Sequence, residues 1–312
     1  MAESSMASPS KNTDLSIRTL ILKWREERAP QLSEYRRSLY MLTQNKLSFV
    51  GILIVGALLL VAASSVLVPE NTVYSVNLND KFLAPSAQHF FGTDSAGRDI
   101  FSRVVYGCRI SLFVGLLVPL VAMAIGIPLG LISGFMGQKV DEIIMRATDA
   151  FLSFPSLLLA LAASFALGRG IVNAMLAISI TWWPWYTRLV RSRTLTIREE
   201  AFVKSARAMG AGKTWITIHH IFPHCIPVIL VQASMDVGYA ILAGATLGFL
   251  GVGAQEPMPE WGLMVSIGRY YFMGSPWGSL FPGIFIFIAV LGFNLLGDGV
   301  RDLFDPRLRR VR

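Results

Sequence analysis

Charge is what this 312-residue sequence has least of. Asp, Glu, Lys and Arg make up 15% of it, against about 25% in a soluble globular domain. The shortage is uneven, and long stretches contain none of the four. Cysteine is scarcer still, and two residues, Cys108 and Cys225, cannot build a disulfide scaffold or a four-cysteine metal site. Four histidines, three of them (His219, His220, His224) crowded into one segment, leave little material for a metalloenzyme. What abounds is apolar: 53% of residues are hydrophobic. That excludes a disordered chain or a small secreted protein and indicates an integral membrane protein.

A spanning helix needs about 20 mostly apolar residues, because the hydrocarbon core is about 30 Å thick. Six segments meet this. Leu47 to Val68 is the first, starting too far behind a polar segment to be a cleaved signal peptide. Ile110 to Ser133 is the second, interrupted by Pro119 and Pro128. Ala150 to Leu167 and Ile171 to Thr187 follow, joined by Gly168-Arg169-Gly170. Cys225 to Leu250, with Asp236 inside it, and Pro276 to Gly297 complete the set.

The positive-inside rule orients them. With a cytoplasmic N-terminus, segments 1–46, 134–149, 188–224 and 298–312 lie inside and hold 22 of the 28 Lys and Arg residues. Asp and Glu split 13 inside to 6 outside, so the basic excess is a topology signal and nucleic acid is not needed to explain it. The expected fold is all-α with six transmembrane helices and both termini cytoplasmic. Residues 1–46 form a tail in which Leu15, Ile17, Leu20, Leu22 and Trp24 alternate with Arg18, Lys23 and Arg25, an amphipathic helix on the membrane surface. Residues 47–110 are the first span and an external loop, 111–297 the transmembrane core, and 298–312 a basic cytoplasmic tail.

The longest loop between spans, 188–224, is the most informative. Glu199 to Met209 is rich in helix formers and Gly210 follows as a stop signal; Lys213 to Ile221 is a second short helix, ended by Pro223. Two short helices joined by a glycine turn and pinned between spans make a rigid protrusion on which a soluble partner can push.

This segment resembles the EAA loop of ABC importer permeases, E-A-A-x3-G-x9-I-x-L-P. Gly210 and Pro223 take the glycine and proline positions and Ala206 the second alanine, while Lys204, Ser205, His220 and Phe222 depart from the pattern. Three further blocks are similar to the dipeptide/oligopeptide/nickel branch of that family. They are Phe91-Gly92-Thr93-Asp94 with Gly97-Arg98-Asp99 through Leu112, Leu247-Gly248-Phe249-Leu250-Gly251 through Pro259-Glu260-Trp261-Gly262, and Phe293-Asn294-Leu295-Leu296-Gly297-Asp298-Gly299 through Asp305-Pro306. Together they cover roughly 45–310 and point to the C-type permease subunit. The resemblance implies a heterodimer with a B-type permease, two ATP-binding ABC subunits and an extracytoplasmic substrate-binding protein, all in a bacterial or archaeal cytoplasmic membrane. It also implies that Lys204, Ser205, Ala206, Arg207, Ala208, Met209, Gly210, Ala211, Gly212, Lys213, Thr214 and Trp215 meet an ATPase, about Ala206 to Trp215 being the coupling helix. ATP and Mg would sit on the ATPases, and this chain would have no catalytic residue and no cofactor of its own. The implied cargo is di- and oligopeptides, with nickel chelates, glutathione-like molecules or oligosaccharides as alternatives.

Several features invite other readings. Gly210-Ala211-Gly212-Lys213-Thr214 resembles a phosphate-binding loop, but the first glycine of G-x-x-x-x-G-K-[ST] falls on Arg207 and no strand precedes it. The three clustered histidines with Cys225 resemble metal ligands, but Pro223 is expected to break the helix between His220 and His224 and no acid lies beside them, so no metal is expected. Asp236, the one acid inside a span, either faces the translocation path, where it would attract a peptide's amino terminus, or makes a hydrogen bond between helices. Gly126, Gly130 and Gly134, like Gly244 and Gly248, recur every four residues and are expected where helices approach closely, in this chain or against a partner. Trp182, Trp183, Trp185 and Tyr186 read as an interfacial belt. Arg98, Asp99, Arg103 and Arg109 read as an outer cluster pairing internally or meeting the binding protein. A secondary transporter would carry internal repeats and paired charges in its spans, and an intramembrane enzyme a catalytic dyad; neither is present in the sequence.

Overall fold

The computed structural model describes residues 45–304. The amphipathic helix expected at 15–24 and most of the basic C-terminal tail lie outside them. Helices are the regular structure of the described residues, with one isolated bridge between Thr93 and Asp99 as the only extended pairing among them.

Helix α1 (Lys46–Ser64) is capped by Asn45, whose side chain accepts from the Leu47 amide at 3.1 Å. A short helix α2 (Glu70–Tyr74) and an irregular segment lead to α3 (Ile100–Met136), 37 residues long. Asp99 caps α3 by accepting from the Ser102 amide at 2.7 Å. Next come α4 (Gln138–Leu152), α5 (Ser156–Leu167) and α6 (Ile171–Ile197). The loop helices are α7 (Ala201–Ala208) and α8 (Lys213–Ile216), followed by α9 (Phe222–Phe249), α10 (Trp261–Gly268) and α11 (Trp277–Phe304). Helices α3 and α6 run parallel, so the 198–221 loop, α4 and the start of α9 share one end of the bundle; α2 and α10 sit at the other.

Fewer helices than the six expected qualify as spans on length and apolar character alone. Among the described residues four helices, 46–67, 100–136, 213–249 and 277–304, are long and apolar enough to cross a membrane, or five if the bent pair α4–α5 counts as one. The segment expected to span from Ala150 to Leu167 is not straight. It bends by 89° at Ser153–Pro155, because proline disfavours helical backbone in the residue before it. Helix α5 alone has 12 residues, about 18 Å at about 1.5 Å per residue. Helix α6, with 27 residues, is long enough but too polar to qualify. It tolerates Ser179, Thr181 and Thr187 because it is enclosed by other helices: all three are buried and their hydroxyls donate to backbone carbonyls.

One expected break, that at Pro223, is absent. Pro119 and Pro128 leave α3 unbroken. Pro223 does not separate the loop from the following span. A π-turn over Thr217–Ile221 joins α8 to α9, and its widened spiral accommodates the pyrrolidine ring at the first turn of α9. The second span begins at Ile100, ten residues before the expected Ile110, because its arginines are absorbed. Arg103 donates from Nη1 to the Val73 carbonyl (3.0 Å) and from Nη2 to that of Pro257 (3.3 Å), while the Arg109 guanidinium lies 3.6 Å above the Tyr106 ring.

The glycine runs pack within this chain. A Cβ on Gly126, Gly130 or Gly134 would fall 2.6 to 2.7 Å from atoms of Trp183, Tyr186, Thr187 or Thr194, so α3 and α6 touch backbone to backbone. Gly244 stands against Val114, and Gly248 against Glu260 and Leu263. Outward-facing Leu60, Phe113 and Phe287 are more than half exposed, leaving an apolar surface that suits lipid or a protein partner rather than water.

Candidate functional site: the loop and the groove around Asp236

The loop is built like a small domain. Helix α7 ends in a Schellman turn: the Ala211 amide donates to the Ala206 carbonyl (3.1 Å) and the Gly210 amide to that of Arg207 (3.0 Å). Gly210 has φ +86°, a conformation that glycine adopts at no steric cost. Gly212 then starts α8 in extended backbone. The sequence-derived turn is therefore present. The segment of about Ala206–Trp215, implied as the coupling helix, spans the corner between these two short helices.

The loop's inner face is apolar. Val203, Ala206, Ile216 and Ile221 pack with Val190 and Ile197 of α6, Cys225 and Ile229 of α9, and Phe135 near the end of α3. Its outer face is exposed: Lys204, Ser205, Arg207, Ala208, Met209, Gly210, Gly212, Lys213, Thr214 and Trp215 are open, Ala211 is half-buried and only Ala206 is buried. Met209 stands at the tip with 82% of its surface free. Lys204 pairs with Glu199 at 3.3 Å. The histidines pack on rings: His219 stacks on Trp215, and His220 and His224 flank Phe202.

The same end of the bundle is braced by charge. Arg191 of α6 donates from Nε and Nη2 to the two carboxylate oxygens of Asp141 on α4, at 2.5 and 2.6 Å. The Arg191 hydrogen bonds outweigh burial and, with the Ser133 hydroxyl, hold the Asp141 carboxyl below its ordinary range. Arg198 donates to the Gly134 carbonyl at 2.8 Å. Sequence reasoning missed this brace, since each arginine lies 50 or more positions from its partner.

The second feature is a groove between α5, α6 and α9. It is an open pocket of about 590 Å³ lined by Trp182, Trp185, Gln232, Asp236 and Tyr239 among others. Asp236 is 8% exposed. Tyr186 donates its hydroxyl to Oδ2 at 2.6 Å, and Gln232 donates from Nε2 to Oδ1 at 2.9 Å. Asp236 thus bonds across a helix interface and also lines a cavity. Gln232 was detectable as an i, i+4 neighbour; Tyr186, on another helix, was not. The aromatic cluster is not a belt. Trp183 and Tyr186 are buried between helices, while Trp182 and Trp185 turn toward the groove.

At the opposite end, Arg98 pairs internally, with Asp94 at 2.7 Å and Glu256 at 3.1 Å. Burial opposes its charge, but the two carboxylates outweigh this and hold its pKa above the ordinary value. Trp277 donates to the Thr93 carbonyl at 3.0 Å and Phe91 stacks on Phe281 at 4.0 Å, so the 91–99 block is fastened to α11. Glu260 caps α10 by accepting from the Gly262 and Leu263 amides, both at 2.8 Å.

Comparison with known proteins agrees with this architecture. Residues 126–310 match the family model described as binding-protein-dependent transport system inner membrane component. The chain is 44% identical over 284 residues to the dipeptide transport system permease protein DppC of Alkalihalophilus pseudofirmus, covering 91% of this chain and 93% of that one. It is 44% identical over 268 residues to the probable D,D-dipeptide transport system permease protein DdpC of Escherichia coli, covering 86% and 90%. It is 46% identical over 225 residues to the glutathione transport system permease protein GsiD of Pectobacterium atrosepticum, covering 72% and 75%. A solved chain of the inward-facing MetNI methionine ABC transporter shares the fold, with a TM-score of 0.55 at 19% identity, covering 66% of this chain and 98% of that one. The chain belongs to the family of binding-protein-dependent transport system inner membrane components.

Proposed function

We propose that this chain is a multi-pass permease subunit of an ATP-driven importer in a bacterial inner membrane, forming half of the path through which di- or oligopeptides enter. The observation that carries the reading is the loop. A corner with its own apolar core, wedged against α3, α6 and α9 and exposing ten residues on its outer face, transmits a push as a rigid lever. A soluble tether would not need that core. The relatives' names, dipeptide and D,D-dipeptide permease, support peptide cargo, and glutathione permeases at similar identity keep that tripeptide as a second candidate.

In this reading the 198–224 loop is cytoplasmic, both termini are cytoplasmic, and α5 and α6 complete six membrane crossings. Two ATP-binding subunits dock on Lys204–Trp215 and its counterpart in a B-type permease; they hold ATP and Mg, and this chain carries out no bond chemistry. A binding protein delivers cargo at the end bearing α2 and α10. The test is reconstitution with the partner subunits in proteoliposomes and measurement of labelled dialanine uptake. Uptake that needs both ATP and the binding protein supports the reading; uptake without ATP would favour a secondary transporter and overturn it.

A further inference from the structure

The groove between α5, α6 and α9 holds an acid without a cation. Among the described residues no Lys, Arg or His forms an ion pair with Asp236; its partners, Tyr186 and Gln232, are neutral donors. Each carboxylate oxygen accepts one hydrogen bond. Both bonds survive in either protonation state, since a protonated carboxyl oxygen keeps acceptor capacity, so what the site lacks is a positive charge to hold it ionised.

An ionised carboxylate away from water costs several kcal/mol unless a positive charge compensates it. Helix packing does not require that cost, because an asparagine would accept from Tyr186 as well. The walls of the groove are suited to the missing charge. Trp182, Trp185 and Tyr239 line it with Asp236, and aromatic faces attract cations through their quadrupoles. Tyr186 is fully buried behind the acid, while Trp185 and Tyr239 are about half exposed in front of it. The pocket's volume of about 590 Å³ suits a small peptide.

We propose that Asp236, oriented by Tyr186 and Gln232 and walled by Trp182, Trp185 and Tyr239, is an ammonium site that takes the protonated amino terminus of a peptide on its way through the membrane. The proposal rests on the peptide-import reading and adds a specificity-determining residue to it. The acid offers a station for positive charge, and the rings stabilise the cation without binding it so tightly that it cannot leave.

The test uses the assembled complex in proteoliposomes, with labelled dialanine as probe and the amount taken up per ATP hydrolysed as readout. Asp236→Asn is expected to lower that ratio about tenfold, the loss of one charge-assisted contact, and Asp236→Glu to recover part of it. An unchanged ratio, whether both rates fall together or neither falls, overturns the proposal, as does loss of the partner permease from the Asp236→Asn complex. A second readout needs no transport. In Tyr239→Cys, a cationic methanethiosulfonate is expected to react faster than an anionic one, and adding Asp236→Asn to abolish the preference; the native Cys108 and Cys225 are buried. Equal rates before that change overturn the site, whereas failure of the wild-type complex to take up dialanine with the charge preference intact counts against the peptide reading alone.

Discussion

Arg191 and Asp141 meet through two parallel hydrogen bonds of 2.5 and 2.6 Å, joining helices that lie 50 residues apart in sequence. The pair locks α4 against α6 at the end that carries the loop, with Ser133 of α3 bonded to the same carboxylate. It fixes the platform on which the loop corner stands.

Breaking this brace has a predictable cost. Asp141→Asn removes a bidentate charged contact from a mostly sheltered site and is expected to destabilise the protein by about 2 kcal/mol. The pH dependence follows from the lowered pKa of Asp141: its contribution is fully present above the ordinary carboxylate pKa and is lost as pH falls through the lower folded value. Thermal unfolding in detergent at pH 6 and near pH 3 checks this. The difference between wild type and Asp141→Asn should shrink at the lower pH.

Glycine spacing gives a second prediction. In Gly130→Leu the new side chain would meet the Thr187 carbonyl and Val190 Cβ, at 2.7 and 2.8 Å from its Cβ alone, and backbone cannot move aside cheaply. A loss of about 3 kcal/mol is expected, as in severe overpacking, measured as a lower melting temperature and poorer yield of folded protein. Gly210→Ala is the contrast. Its Cβ would meet nothing within 4 Å, so only the left-handed backbone is penalised, by about 1 kcal/mol.

Glu260 supplies a pH effect of opposite sign. Burial pushes its pKa from 4.5 up to about 7 despite the two backbone amides it accepts from. The fold thus favours the protonated form, so its contribution is full below about 4.5 and declines as pH rises to about 7, in total about 3 kcal/mol. Glu260→Gln should flatten the melting temperature between pH 5 and 8, whereas a wild-type profile already flat there would contradict this account.

The loop tip gives a functional prediction. Met209 has no packing partner to lose, being 82% exposed, so Met209→Glu should leave the melting temperature within about 0.5 kcal/mol equivalent. If the loop docks the ATPase subunits as proposed, it should still weaken their capture, because it replaces an apolar tip by a charge. Comparing melting with co-purification of the ATPases separates the two effects.

Much of this architecture was legible in the sequence because it follows from local chemistry. Uncharged runs marked α1, the middle of α3, α9 and α11, and Gly210 marked the corner of the loop. Helix α6 passed as a span on its apolar half; its polar positions face other helices, while Leu176, Ile180 and Trp185 stay exposed. The Ala150–Leu167 segment misled because hydropathy does not register the bend that Pro155 imposes. The glycine spacing revealed close approach but not its partner, since Gly130 and Thr187 are brought together only by the parallel packing of α3 and α6. The groove was half visible: Asp236 stood out as a lone acid, whereas Tyr186, Trp182 and Trp185 converge on it from another helix and read as a belt in one dimension.

The central claim, that this chain is one coupling subunit of a larger ATP-driven machine, is tested most directly by purifying it in mild detergent from its native membrane and identifying what accompanies it by mass spectrometry. The account predicts an unlike permease together with ATPases bearing Walker motifs, and loss of the ATPases when Met209→Glu replaces the wild-type tip. Recovery of this chain alone as a stable homo-oligomer would contradict it.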